Sequence, residues 1–365
     1  MKKLSLTILF FLIGFCLLES QEIINNGRIS GYVFGDFFYN AARDSGITDL
    51  KNVANGGNVD LNGVQLRRIY FTYDYDISNS FTTRFRIEAD QSANTSNGKI
   101  GVFVKDAYLK WKDIFSGSDL IFGIQPTPTF EISEGIWGNR FLEKTIMDLR
   151  GVVPSRDLAL ALKGNFDYRG MLKYWLMIGN GTGNKPETDK YKSFYAHIQF
   201  SPIKQFTATI YADLKSRPKI NDPSSKVIPP DKILNDELTY ALFMGYNKRD
   251  QFSVGLEGFI NQLQNGMTSS SGQKDKNGIG WSAFGSFNFS KELALVGRYD
   301  YYDPNTNEYI LGDARNWFIF SLIYQLDKKV TISPNVIIET YESIPNVRSI
   351  DASVTPRITI FYTFL

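Results

Sequence analysis

Past a short leader, the sequence falls into about sixteen short segments of alternating apolar and polar residues, and the gaps between them alternate between long and short. Successive side chains of a strand point to opposite faces, so each segment makes a strand with one apolar and one wet side. An antiparallel meander with short turns at one rim and long loops at the other is the layout of a barrel that crosses a membrane. The reading is therefore all-β: a transmembrane antiparallel β-barrel of about 16 strands. Lipid supplies the reason, because no water reaches the bilayer interior and only a closed sheet pairs every backbone N–H and C=O without an edge.

The expected strands run over 28–41, 64–77, 81–90, 102–112, 119–125, 157–164, 171–179, 191–201, 206–215, 237–248, 252–263, 279–290, 292–302, 314–326, 329–341 and 353–365. Gaps at 78–80, 113–118, 165–170, 202–205, 249–251, 291 and 327–328 are short. Those at 43–62, 90–101, 126–156, 180–190, 216–236, 264–278, 303–313 and 342–352 are long. An even strand count keeps all short gaps on one rim, the periplasmic one if the amino terminus starts there. Pro334 lies inside an expected strand, where it removes a ladder donor, so a bulge is expected beside it. In the second strand Ile69, Phe71, Tyr73 and Tyr75 face outward; in the third, Phe81, Phe85 and Ile87 do. Outward sets this apolar argue against a secreted soluble sandwich.

Lys2 and Lys3 precede an apolar run from Leu4 to Leu18, followed by Glu19, Ser20 and Gln21. That is the pattern of a secretory signal peptide, and the run falls short of the roughly 20 apolar residues of a membrane-spanning helix. The expected division is a signal peptide over 1–20, cleaved after Ser20, and an outer-membrane barrel over 21–365. Cys16 is the single cysteine and leaves with the leader; Phe15 before it argues against a lipid anchor there. A mature chain without thiols has no disulfide or cysteine-ligated metal and suits an oxidising periplasm. The leader holds Lys2, Lys3 and Glu19, a net of +1, so the formal +2 of the whole chain falls to +1. That balance gives no basic surface for nucleic acid. The 20 Tyr and 28 Phe favour strands. A mean hydropathy of -0.21 suits a barrel and a soluble β-protein equally.

Several stretches are similar to the phosphate-selective porin O and P family. They are Leu66-Arg67-Arg68-Ile69-Tyr70-Phe71, Asp106-Ala107-Tyr108-Leu109, Gly123-Ile124-Gln125-Pro126, Ser155-Arg156-Asp157-Leu158-Ala159 and Gly297-Arg298-Tyr299-Asp300-Tyr301-Tyr302. The resemblance is clearest over 62–165 and patchy beyond. It implies a homotrimeric channel of 16 strands whose long third loop folds into the lumen, and the 126–156 interruption stands in that place. Relatives line their constriction with arginine and lysine. Here Gln125-Pro126-Thr127-Pro128 stands where many of them are more basic. From 131 to 157, Glu131, Glu134, Glu143, Asp148 and Asp157 oppose Arg140, Lys144, Arg150 and Arg156, so no anion trap is indicated.

Selectivity in a pore comes from its diameter and from the charges at its narrowest point. The inward phase offers Arg68, Arg84, Arg86, Lys110, Lys163, Lys173, Arg298 and Arg357, opposed by Asp74, Asp76, Glu88, Asp90, Asp106 and Asp300. The candidate pore-lining set is Arg68, Arg84, Arg86, Asp106, Lys110, Glu131, Glu134, Arg140, Arg150, Arg156 and Arg298. The bland alternative is a wet face whose charges pair among themselves. Trp137, Phe141, Ile146 and Met147 are expected to pin the long loop to the inner wall, against the alternative of an exposed outer loop. Tyr73, Tyr75, Tyr174, Trp281, Tyr299, Tyr301 and Tyr362 suit interfacial girdles rather than an aromatic slide inside the pore.

His197 is the only histidine and stands on an inward phase. With no second histidine and no mature cysteine, neither a metal site nor a catalytic triad has material to build from. Asp303-Pro304-Asn305-Thr306-Asn307 lacks the glycine and closing glutamate of a calcium loop. No cofactor is expected. The leading reading is a passive outer-membrane pore for small hydrophilic solutes or inorganic ions, with a mild anion preference and outer-membrane lipid as its surroundings. A plugged, adhesive or structural barrel is the alternative, and a barrel enzyme a weaker one.

Overall fold

The computed structural model describes residues 27–47, 56–269 and 272–364, so the expected leader, Cys16 and Leu365 lie outside it. The strands are β1 (Gly27–Tyr39), β2 (Asn62–Asp76), β3 (Phe81–Asn94), β4 (Ile100–Phe115), β5 (Ser118–Pro126), β6 (Arg156–Asn165), β7 (Leu172–Gly179), β8 (Ser193–Ile203) and β9 (Phe206–Lys215). After β10 (Ile220–Asn221) and β11 (Lys232–Ile233) come β12 (Glu237–Lys248), β13 (Phe252–Ser269), β14 (Gly272–Asn288), β15 (Leu293–Asp303), β16 (Arg315–Asp327), β17 (Val330–Tyr341) and β18 (Ser353–Thr363). All but β10 and β11 form one closed barrel in chain order, sixteen strands in all; β10 and β11 pair by themselves within the loop after β9. Closure is made by β1 on β18, from Tyr32 opposite Thr363 to Phe38 opposite Arg357.

Alternation sorts the side chains as expected. Phe122, Ile210 and Leu242 are among many large apolar residues exposed on the outside, while their chain neighbours Ile121, Tyr211 and Phe243 are buried inside. Besides shifts near the strand ends, the register breaks at two places within the wall. The β1–β2 register skips Arg67, passing from Phe34 opposite Arg68 to Gly35 opposite Leu66. The β3–β4 register skips Lys105 in the same way, from Arg86 opposite Asp106 to Ile87 opposite Val104. Each extra residue is a β-bulge, which bends the strand and re-aims a side chain. Arg67 and Arg68 both reach lumen-side carboxylates, Asp36 and Glu88, and Lys105 also reaches Glu88.

The structure departs from expectation in two respects. The 264–278 stretch is not an open loop: β13 and β14 run on through it, with Met267 opposite Lys274, and Gln262 donates to Asp275 across the pair at 2.9 Å. A hairpin standing clear of the apolar band needs no greasy face, so alternation does not announce it. Nor is there a bulge at Pro334. Register is continuous past it to β18, where it faces Ile358, and the spacing to β16 is the same on both sides of it. Proline removes a donor, and the Ser333 hydroxyl donates to the Leu322 carbonyl instead, at 3.1 Å.

At the long-loop rim the Arg348 guanidinium grips the Asp44 carboxylate with two bonds of 2.9 Å. The same carboxylate accepts the Gly46 and Asp351 backbone N–H groups. This latch ties the loop after β1 to the loop before β18, over the closing seam. It holds the Asp44 carboxyl well below its ordinary 3.8.

Two outcomes follow from these contacts. Ser333→Ala strands the Leu322 carbonyl and lowers barrel stability by about 1–3 kcal/mol, read as the midpoint of heat-induced mobility shift on gels. A depressed carboxyl stabilises fully above its unfolded pKa and loses that contribution as pH falls toward the folded value. Amide exchange in 42–47 and 343–351 therefore speeds up as pH drops below about 4, after correction for the intrinsic rate. Asp44→Asn is already fast at pH 7 and shows no such step.

Candidate functional site: the lumen constriction

Between β5 and β6 the chain turns into the barrel. Gln125 closes the end of β5 by donating to the Ile121 and Ala159 carbonyls, and Thr127 zips the neck through its N–H to Ser155 and its hydroxyl to Pro154. The inserted segment carries α1 (Glu131–Trp137) and α2 (Ile146–Leu149). Gly138 ends α1 at a φ of 66°, a left-handed position that glycine adopts without steric cost.

The segment lies on an apolar part of the inner wall. Trp137 and Leu142 pack with Phe243, Phe284, Val296, Trp317, Ile319 and Ile337. Phe130, Ile146, Met147 and Val153 pack against side chains of β5–β9, β12 and β13, Trp175 and Phe259 among them. Three guanidiniums then hold its backbone. Arg67 and Arg357 both donate to the Leu142 carbonyl, at 3.0 and 2.9 Å. Arg298 donates to the Lys144 carbonyl while sitting 5.3 Å from the Trp137 ring and 5.1 Å from the Trp317 ring. Farther along, Arg150 bonds Glu339 at 3.1 Å. The segment is fixed inside the barrel, as the four expected pinning residues require, with the Phe141 ring tilted against that of Phe361, centre to centre 5.2 Å.

A passage remains on the β1–β6 side. A central cavity of about 590 Å³ is lined by Arg84, Arg86, Lys105, Lys110, Arg156 and Lys163 on the wall and by Arg140, Glu131, Glu134 and Asp148 on the loop, seven cations and three carboxylates in all. Tyr32, Tyr70, Tyr108, Gly135 and Gly138 complete the lining. A second cavity of about 650 Å³, reaching the short-turn residues Asp250 and Lys291, shares Tyr32, Glu134, Gly138 and Arg140 with it. A third of about 350 Å³, toward the long-loop ends of β8, β9 and β12, shares Asp148 and Ser155. The three spaces follow one another from rim to rim.

Every lining cation has a carboxylate beside it. Arg84 grips Asp74 at 2.6 and 3.0 Å. Arg156 bonds Asp106, which also lies 3.6 Å from Arg86, and Lys105 is 2.9 Å from Glu88. Lys163 reaches Glu131 at 2.8 Å, and Arg140 lies 3.4 Å from both Glu134 and Asp148. Asp106 and Glu88 are completely covered, at 0% and 1% exposure, whereas Arg86, Lys105 and Arg156 in front of them are only partly covered, at 14–18%. The lumen thus meets positive groups first and their counter-charges behind.

Of the expected pore-lining residues, Arg84, Arg86, Lys110, Glu131, Glu134, Arg140 and Arg156 line the central cavity. Asp106 lies beneath it. Arg68 is tucked against Glu88, Arg150 is spent on Glu339, and Arg298 is buried under the loop as an anchor. The sequence reading missed Lys105 and the anchoring role of Arg67. Each lies beside another charged residue where alternation fails, and that failure is a legible sign of a bulge. His197 is buried between Trp175 and Tyr211 in register. Among the described residues no cluster of His, Cys, Asp or Glu is arranged to hold a metal ion.

A β-carbon built on Gly135 meets nothing within 4 Å. Gly135→Trp therefore extends a ring into the central cavity without disturbing the wall, and single-channel conductance falls by roughly half or more while the folded barrel is retained.

No protein-family model matches the chain, and no curated protein sequence matches it. Solved structures do. The outer-membrane channel DcaP of Acinetobacter baumannii superposes with a TM-score of 0.65 at 12% identity, over 93% of this chain and 97% of that one. An anion-selective porin from Comamonas acidovorans gives 0.63 at 10%, over 93% and 99%. Pseudomonas putida OprB gives 0.60 at 11%, over 93% and 94%. Identities this low carry the fold alone, and the fold is that of a bacterial outer-membrane porin barrel.

Proposed function

We propose that the chain is a bacterial outer-membrane porin that lets small hydrophilic solutes and inorganic ions diffuse passively, with a mild preference for anions. One observation carries the reading. Three cavities follow one another past a loop that is clamped to one wall, sharing Tyr32, Glu134, Gly138 and Arg140 at one junction and Asp148 and Ser155 at the other. The apolar outer faces suit a lipid surround, and the solved porins of the same fold support the outer membrane as its location. A homotrimer, a cleaved leader over 1–20 and kinship with the phosphate-selective porins belong to the same proposal, on the sequence resemblance already described. The anion preference is mild because the partly covered cations have their carboxylates close behind, so the field reverses within a few ångströms of the surface.

The test is a planar bilayer holding the purified protein under a KCl gradient. Steady conductance steps are expected, with a small reversal potential of the sign given by chloride moving faster than potassium. Lys105→Glu places a carboxylate at the front of the cavity and moves that potential toward cation preference. A correctly folded barrel that passes no current overturns the reading and leaves a plugged barrel in its place.

A further inference from the structure

The inner wall beside the constriction is aromatic where a wet face is expected. Tyr32 and Phe34 of β1, Tyr70 of β2 and Phe361 of β18 all share the inward phase of their strands with Asp36, Arg68 and Arg357. Their rings form a continuous row, Tyr70 to Tyr32 at 4.7 Å, Tyr32 to Phe361 at 5.8 Å and Phe361 to Phe141 at 5.2 Å, in which Phe34 and Tyr70 are covered and Tyr32 and Phe361 are left partly open. Tyr70 and Tyr32 line the central cavity; Tyr32, Phe361 and Phe141 line the one toward the short turns. The row thus passes the junction between the two, where Tyr32 and Gly138 line both spaces.

Loop anchoring explains Phe141 on Phe361. It does not explain Tyr32 and Tyr70, which belong to neither of the apolar clusters beneath the loop. Cations flank the same row. The Arg86 guanidinium lies 5.6 Å from the Tyr70 ring centre, and Arg140 lines both cavities alongside Tyr32. A flat ring gains from an aromatic wall beyond its buried area, and a carboxylate on that ring finds a guanidinium within reach of the same stack.

We propose that this passage favours small carboxylates carried on a flat apolar ring, benzoate being the simplest, over aliphatic anions of equal charge, with Tyr32 as the residue that sorts them. The proposal rests on the channel reading above and adds a substrate class to it. An aromatic solute stacks on Tyr32 as it passes Gly138, while its carboxylate moves from Arg86 toward Arg140. A solute without a ring has only the paired charges to follow.

The test uses the full chain in planar bilayers, with KCl current as the readout and benzoate, cyclohexanecarboxylate, acetate and maltose added in turn. KCl current is measured first, so its absence overturns the channel reading itself and this proposal with it. With current present, benzoate is expected to interrupt it at concentrations roughly three- to tenfold lower than cyclohexanecarboxylate or acetate. Each variant is normalised to its own KCl conductance. Tyr32→Leu keeps the bulk and loses the discrimination; Tyr32→Phe keeps the ring and retains it. Equal interruption by benzoate and acetate, a Tyr32→Leu channel that still discriminates, or interruption by maltose but not by benzoate overturns the aromatic-carboxylate assignment and leaves the channel reading standing.

Discussion

The passage depends on three arginines that hold the backbone of a loop, two of which, Arg67 and Arg357, also face its Glu143 carboxylate at 3.8 and 3.9 Å. Arg67, Arg298 and Arg357 aim their N–H groups at the carbonyls of Phe141, Leu142 and Lys144. Each is itself satisfied by a carboxylate or amide of the wall: Asp36, Asp300 and Asn335 respectively. Buried ion pairs add little net stability against an apolar replacement, yet removing one partner of a pair costs about 3–5 kcal/mol. The loop is therefore difficult to withdraw, and its position against the β12–β18 wall is built in with the barrel. What remains open lies beside β3–β6, from which none of the three arginines comes.

Much of this was readable from residues alone. Period-two alternation located all sixteen barrel strands because half-buried strands in lipid must have one greasy side, and the inward phase named four of the six wall cations around the central cavity, Arg84, Arg86, Lys110 and Lys163. The same logic failed where its premise fails. Bulges at Arg67 and Lys105 put two consecutive residues on one face. The β13–β14 extension has no greasy side to betray it. Pro334 keeps its place in the sheet because a neighbouring serine supplies the missing donor, a substitution of one hydrogen bond for another that propensity cannot foresee. Arg298 shows the deeper limit. Its inward phase was plain, but whether an inward cation faces water or lies beneath a loop depends on contacts across the lumen, between residues 154 positions apart.

The charge pattern likewise lies in depth rather than in count. Along the chain the loop region balances its acids and bases, and so does the shell around the central cavity once Asp74, Asp106, Glu88 and Asp119 are included. A tally therefore reads as neutral. The covered positions of Asp106 and Glu88 give the wall a polarity that the tally hides, because a charge at the surface of a low-dielectric wall acts on the lumen more strongly than its partner behind. Arginine suits the front position, since its planar fork holds a buried carboxylate and stays charged.

Gly135 stands apart from all of this machinery. The clamp grips carbonyls six and more residues away from Gly135, the apolar clusters engage Trp137 and its neighbours, and the helix face at 135 has open space before it. Folding and permeability are thus encoded in separate residues. If the barrel is the channel proposed above, a lineage carrying it can alter what passes at one position of a single loop without touching the residues that hold the fold, as its surroundings offer different nutrients or toxins.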